Sequence, residues 1–154
     1  MDHKHINVLY IDDEQHNLTA FKASFRRNFN VFIADSAARG LEIIQENDIH
    51  VILSDQRMPN MTGIELFEKL ITINPEPIRI LITGYADINA VIDAINKGQV
   101  YKYLTKPWIE SDIVNFVLKA FEVVILRREK QKLTDELIDA NSKLELLARG
   151  RLLS

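Results

Sequence analysis

The sequence predicts an α/β protein: a doubly wound, five-stranded parallel sheet with helices on both faces, followed by an extended C-terminal helix. Three observations lead there. Short β-branched runs alternate with stretches of helical period, and the alternation repeats five times. Three of the runs, Val8-Leu9-Tyr10-Ile11, Val51-Ile52-Leu53 and Ile80-Leu81-Ile82, are continuously apolar, as strands covered on both faces must be. After residue 125 the strand signals stop, and one helical pattern runs almost to the end.

In chain order, strands are expected over residues 7–11, 31–34, 51–54, 78–83 and 100–104. The last carries a charge, Lys102, which suits a sheet edge. Between them, apolar residues recur at spacings of three and four: Leu18, Phe21, Phe25; Ala37, Leu41, Ile44; Ile64, Phe67, Ile71; and Ile88, Val91, Ile92, Ile95. Each set predicts one buried stripe. Ser36 and Thr62 stand as helix N-caps, whose hydroxyls accept from free first-turn N–H groups, and Gly98 follows Asn96-Lys97 as a left-handed terminator. The fifth helix begins near Ser111, buries Ile113, Phe116, Val117, Ala120 and Val124, and meets no Gly or Pro to end it before Gly150. From Leu126 the spacing becomes a heptad. Leu126, Leu133, Ala140 and Leu147 fill one core position, and Lys130, Leu137, Leu144 and Arg151 fill the other. A parallel, dimerising coiled coil is expected, with Lys130 and Arg151 weakening its seam.

The 154 residues, 47% hydrophobic and 27% charged, describe one ordinary globular domain and exclude disordered, collagenous and low-complexity chains. With 19 Lys and Arg against 22 Asp and Glu, the net charge of -3 argues against direct nucleic-acid binding. The absence of cysteine excludes disulfides, thiolate metal sites and a cysteine nucleophile, and fits a cytoplasmic location. The N-terminus has no secretory pattern, and Val123-Val124-Ile125-Leu126, bounded by Glu122 and Arg127, falls far short of the roughly 20 residues that cross a bilayer. No membrane partner is expected.

Charged and polar side chains gather at the expected C-terminal ends of strands, where open α/β sheets build their sites. Asp12-Asp13 follow the first strand, Asp55 the third and Lys106 the fifth, while Thr83 ends the fourth. Each has a plainer reading. The Asp pair could cap a helix, Asp55 could open a turn before Met58-Pro59, and Lys106 could be a solvated charge beside Pro107. Capping does not explain why all of them share one sheet edge.

Four segments occur in order: Tyr10-Ile11-Asp12-Asp13-Glu14, Leu53-Ser54-Asp55-Gln56-Arg57-Met58-Pro59, Leu81-Ile82-Thr83-Gly84-Tyr85-Ala86 and Tyr103-Leu104-Thr105-Lys106-Pro107-Trp108. They are separated by 42, 28 and 23 residues from Asp13 onward. On these segments the sequence resembles the receiver domain of two-component response regulators over residues 5–125, leaving 126–154 as an extended helical or coiled-coil linker. The resemblance implies the flavodoxin-like strand order 2-1-3-4-5. It implies that Asp55 is the phosphoacceptor, that Mg2+ is held by Asp12, Asp13, Asp55 and the backbone carbonyl of Arg57, and that Lys106 pairs with the incoming phosphoryl group. It implies a switch pair, Thr83 and Tyr103, in which the hydroxyl moves to the phosphoryl group and the ring turns from a solvent-facing position into the vacated space. It also implies a cis Lys106-Pro107 bond, a sensor histidine kinase or phosphotransfer protein as partner, and an output face at helix four, strand five and helix five. Such a domain promotes only its own phosphorylation and dephosphorylation.

Elementary electrostatics agrees with these roles. Three carboxylates about 5 Å apart repel by about 3 kcal/mol per pair at an effective dielectric near 20, so they require a divalent cation. Hard oxygen ligands without an imidazole cluster select magnesium over zinc. A carboxylate can attack phosphorus only when charge on the transferring oxygens is neutralised, which Mg2+ and Lys106 together supply. Arg57 and Tyr85, two positions past Asp55 and Thr83, are expected to obstruct a hydrolysing water.

A hydrolase of the haloacid-dehalogenase type would want an acid two residues past its nucleophile. Arg57 stands two past Asp55, although Glu14 stands two past Asp12. A flavin or nucleotide binder would want a Gly-rich cradle after the first strand, and none occurs. A receiver-shaped dimerisation scaffold that is never phosphorylated is the remaining alternative, although every chemical position is filled. His3 and His5 are expected on a frayed, solvated terminus, His16 at the surface, and Trp108 packed under the fifth helix. The chain reads as truncated. Receivers with similar Asp-Gln-Arg-Met-Pro and Leu-Thr-Lys-Pro-Trp segments are often joined to enzymatic outputs such as cyclic-dinucleotide phosphodiesterases.

Overall fold

The computed structural model describes residues 2–153; Met1 and Ser154, the last position of the expected linker, lie outside the described residues. The chain runs β1 (His3–Ile11), α1 (Gln15–Phe25), β2 (Phe29–Ala34), α2 (Ala37–Glu46), β3 (Val51–Asp55), α3 (Gly63–Ile73) and β4 (Ile78–Thr83). A 3-10 turn (Tyr85–Asp87), α4 (Ile88–Asn96), β5 (Lys102–Thr105) and α5 (Glu110–Leu153) follow. All strand pairs are parallel, in the order β2-β1-β3-β4-β5, as the flavodoxin-like arrangement requires. The register sets Ile11 beside Ser54, Asp55 beside Ile82 and Thr83 beside Thr105, so the C-terminal ends of four strands form one edge.

Strand alternation divides the core in two. Val8 and Tyr10 face Phe21 and Phe25 of α1 and Ile113, Val117 and Val124 of α5. Leu9 and Ile11 face Ile43 and Ile44 of α2, Leu66 and Phe67 of α3, and Val91 of α4. Caps hold the helices where the sequence places them. Ser36 Oγ accepts from Arg39 N–H at 3.1 Å, Thr62 and Glu65 form a reciprocal capping box, and Gly98 takes φ 75° after α4.

Some expectations shift. The first stripe is buried as expected, but α3 buries Leu66, Phe67 and Leu70 and leaves Ile71 exposed. In α2, Leu41 is only partly buried while Gly40 and Ile43 turn inward; in α4, Ile92 is exposed and Ala94 is buried instead. Period alone defines a stripe broader than the ridge that reaches the sheet, and docking selects the ridge. Strand β1 starts at His3, with a register shift between His3 and Asn7, so His3 and His5 belong to a strand and not to a frayed end. Phe116 is half-buried, with Lys102 Nζ 3.8 Å above its ring. Helix α5 passes through Gly150, which costs an exposed helix only about 1 kcal/mol.

Where α5 leaves the sheet it is gripped from below. The Arg128 guanidinium donates through Nη2 and Nη1 to Asp48 at 2.7 and 3.2 Å and through Nε to Glu76 at 2.8 Å. Among the described residues no helix is long and apolar enough to cross a membrane.

Candidate functional site at the C-terminal edge of the sheet

The edge collects the acids, the threonine and the lysine expected there. Asp12 follows β1, Asp55 closes β3, Thr83 closes β4 and Lys106 follows β5. One carboxylate oxygen from each of Asp12, Asp13 and Asp55 lies within 4.8 Å of the others, and Lys106 Nζ stands 2.8 Å from Asp55 Oδ1. Asp12 and Asp55 are buried and Asp13 is exposed at the mouth. This all-oxygen donor set, without imidazole or thiolate, fits a small hard divalent cation.

Asp12 is held in place by groups that sequence reasoning missed. Tyr10 OH donates to its Oδ2 at 2.6 Å, Asn17 Nδ2 donates to the same oxygen at 3.0 Å, and Glu14 N–H donates to Oδ1 at 3.0 Å. Tyr10 could have been found, since residues two apart on a strand share a face. Asn17 carried no signal, because only the docking of α1 brings it there. The N-cap of α1 is Glu14, so the helix-capping reading of the Asp pair is not what the structure adopts.

Burial pushes the Asp55 carboxyl above the usual carboxylate range, and repulsion from Asp12 and Asp13 adds to this against the pull of Lys106. Burial alone would lower Lys106, but its hydrogen bond and attraction to Asp55 win and leave it above the ordinary lysine value. Tyr10 is raised by burial first, then by donating to Asp12, so it stays a protonated donor.

The loop after Asp55 is pinned from beneath. Gln56 accepts Gly63 N–H on its backbone oxygen at 3.0 Å and Ile64 N–H on Oε1 at 2.9 Å. A Cβ at Gly63 would stand 2.6 Å from the Asp55 carbonyl oxygen, so glycine alone lets α3 start this close to β3. Arg57 pairs with Asp87, Nε to Oδ2 at 2.8 Å, and Tyr85 is 76% exposed. Thr83 Oγ1 donates to the Gly84 carbonyl at 3.2 Å, while Tyr103 is half-buried, with part of it packed against the α4 side of the core. The Lys106-Pro107 peptide is cis. Trp108 meets the rings of Tyr10 and Phe21 edge-on at 5.8 and 5.9 Å, so it packs toward α1 as well as α5. His16 is exposed.

Comparison with known proteins agrees with this geometry. A family model described as the response regulator receiver domain matches residues 8–118. The hydrogenase transcriptional regulatory protein HoxA of Cupriavidus necator is 33% identical over 137 residues, covering 89% of this chain but only 28% of HoxA. The chain therefore spans less than a third of that curated relative. A solved response regulator receiver domain from Clostridium thermocellum superposes with a TM-score of 0.74 at 30% identity, covering 79% of this chain and 98% of its own. A structure described as adenylate cyclase from Rhodopirellula baltica superposes with a TM-score of 0.80 at 31% identity, covering 84% of this chain and 96% of its own. With its acidic edge, its sheet order and these matches in agreement, the chain belongs to the response regulator receiver domain family.

Proposed function

We propose that this chain is a phosphorylation-dependent switch whose phosphoacceptor is Asp55 and whose donor is a sensor histidine kinase or phosphotransfer protein in the cytoplasm. The observation that carries this reading is Lys106 Nζ at 2.8 Å from Asp55 Oδ1, beside two further carboxylates at one sheet edge. In the transfer, an Asp55 oxygen forms a bond to phosphorus while the bond from phosphorus to the donor imidazole nitrogen breaks. The electron pair leaves with the imidazole, which takes a proton from water. Asp12, Asp13, Asp55 and the Arg57 backbone carbonyl would hold Mg2+, which when bound neutralises charge on the transferring oxygens. Tyr10 and Asn17 orient Asp12 for that task, and Lys106 holds positive charge where the phosphoryl group arrives.

The Thr83 hydroxyl exchanges the Gly84 carbonyl for a phosphoryl oxygen, and Tyr103 turns further inward, reshaping the face made by α4, β5 and α5. Residues 5–125 form the switch and 126–154 the linker, which pairs in parallel with a second copy. Leu126, Leu133, Leu137, Leu144 and Leu147 are each at least 60% exposed along that linker. Arg128, two positions past Leu126 and so turned about 200° from it, keeps the body of the domain off the leucine seam. The chain promotes only its own phosphorylation and dephosphorylation.

Incubation with acetyl phosphate and Mg2+ tests the reading by intact-mass measurement. One phosphoryl group is expected on the wild type and none on Asp55→Asn or after chelation of Mg2+. A wild type that takes no label, or an Asp55→Asn variant that does, overturns it in favour of an unphosphorylated scaffold.

A further inference from the structure

Arg57 lies two positions past Asp55 on an exposed loop, yet Asp87 engages its guanidinium twice, Nε to Oδ2 at 2.8 Å and Nη2 to Oδ1 at 3.4 Å. Asp87 occupies the N-cap position of α4 without accepting any helix N–H on its side chain. An aspartate there ordinarily takes an extended backbone and caps the second or third amide. Here it holds φ -105° and ψ 6°, and its carboxylate turns away to Arg57. The ion pair thus ties the loop after Asp55 to the start of α4, and leaves that helix without its side-chain cap.

We propose that the Arg57–Asp87 pair is a latch that phosphorylation opens. It rests on the reading of Asp55 as phosphoacceptor. A phosphoryl group on Asp55 presents a dianion to Arg57, whose guanidinium exchanges Asp87 for phosphoryl oxygens. The freed Asp87 carboxylate then caps α4 through the N–H groups of Asn89 or Ala90, and the turn at Tyr85–Asp87 re-forms to the extended cap geometry. Both groups leave one partner for another, so the exchange has two satisfied end states. Asp87 is a positioning residue, since it acts through Arg57 and the turn.

The test uses the full chain, Mg2+ and beryllofluoride as the phosphoryl mimic. Asp87→Asn keeps a capping side chain but loses the ion pair. By calorimetric titration it is expected to bind beryllofluoride about two- to five-fold more tightly than wild type, the range of an exposed ion pair. Arg57→Gln binds more weakly, and Asp87→Asn adds nothing in that background. Without any ligand, amide exchange at Asn89 and Ala90 slows in Asp87→Asn, and the same amides slow in wild type when beryllofluoride is added. Equal affinity in wild type and Asp87→Asn, or unchanged exchange at those amides, overturns the latch while leaving the phosphoacceptor reading intact. A wild type that neither binds beryllofluoride nor takes label at Asp55 overturns that reading and the latch with it.

Discussion

Replacing Gly63 by alanine tests whether the start of α3 is wedged against β3, the strand that ends in Asp55. The new Cβ would meet two atoms at 2.6 Å, the Asp55 carbonyl oxygen and Leu81 Cδ1. The first is backbone at the end of the sheet's central strand and cannot move aside cheaply, whereas Leu81 Cδ1 is the far end of a side chain and can give way, so the carbonyl decides the cost. The helix end must retreat instead, straining the bonds from Gly63 and Ile64 N–H to Gln56. Overpacking costs about 1–3 kcal/mol and a weakened hydrogen bond about 1 kcal/mol, while the lost flexibility of the unfolded chain returns about 0.4–1 kcal/mol. The net expectation is a destabilisation of about 2 kcal/mol. Gly40→Ala is the matched control. Its Cβ would also meet an atom at 2.6 Å, but that atom is Ile11 Cδ1, the far end of a side chain. With the gain from replacing glycine inside a helix, its net effect stays within about 1 kcal/mol. Urea unfolding followed by circular dichroism compares the two, and labelling by acetyl phosphate should also slow in Gly63→Ala. If Gly63→Ala proves as stable as Gly40→Ala, the wedge argument is wrong.

Three further outcomes are expected. His50 accepts Asn7 N–H on Nδ1 at 3.0 Å, and burial lowers its pKa despite Asp48 nearby. The folded state therefore resists protonation, so stability is full above the unfolded value of about 6.5 and drains as pH falls below it. Urea midpoints should drop between neutral pH and about pH 5.5, and His50→Asn should flatten that slope; an equal slope in the variant refutes this. Arg128→Ala should lower stability by no more than about 1 kcal/mol, because the pair is partly exposed and screened, and the loss should shrink in high salt. Arg128→Lys should fail to restore it, since an ammonium cannot span Asp48 and Glu76 as the guanidinium fork does; full rescue by lysine would disprove the fork argument. Leu137→Lys should convert the proposed dimer to monomer in sedimentation equilibrium, and a wild type that is already monomeric would remove the seam.

The main features of the site are legible in the linear sequence because parallel strands joined by right-handed crossovers must end at one edge. Once the runs before Asp12, Asp55 and Lys106 are read as strands, and Thr83 as the end of another, their convergence follows from connectivity. Caps at Ser36 and Thr62 and the turn at Gly98 are equally legible, because each is local chemistry within a few residues. The same reasoning misplaced Ile71 and Ile92, since a helical period says that one side is apolar but not which ridge meets the sheet.

Sequence alone determined the strand and helix alternation, the acidic edge and the unbroken final helix, all products of local preference and chain order. Only the tertiary structure decided that Asn17 holds Asp12, that Gly63 admits α3 against Asp55, that Asp87 takes Arg57, and that Arg128 grips Asp48 and Glu76. The ion pairs join residues 30, 52 and 80 positions apart. Their partners are chosen by ångström-scale distances between separately formed elements, and those distances exist only after the helices have docked on the sheet.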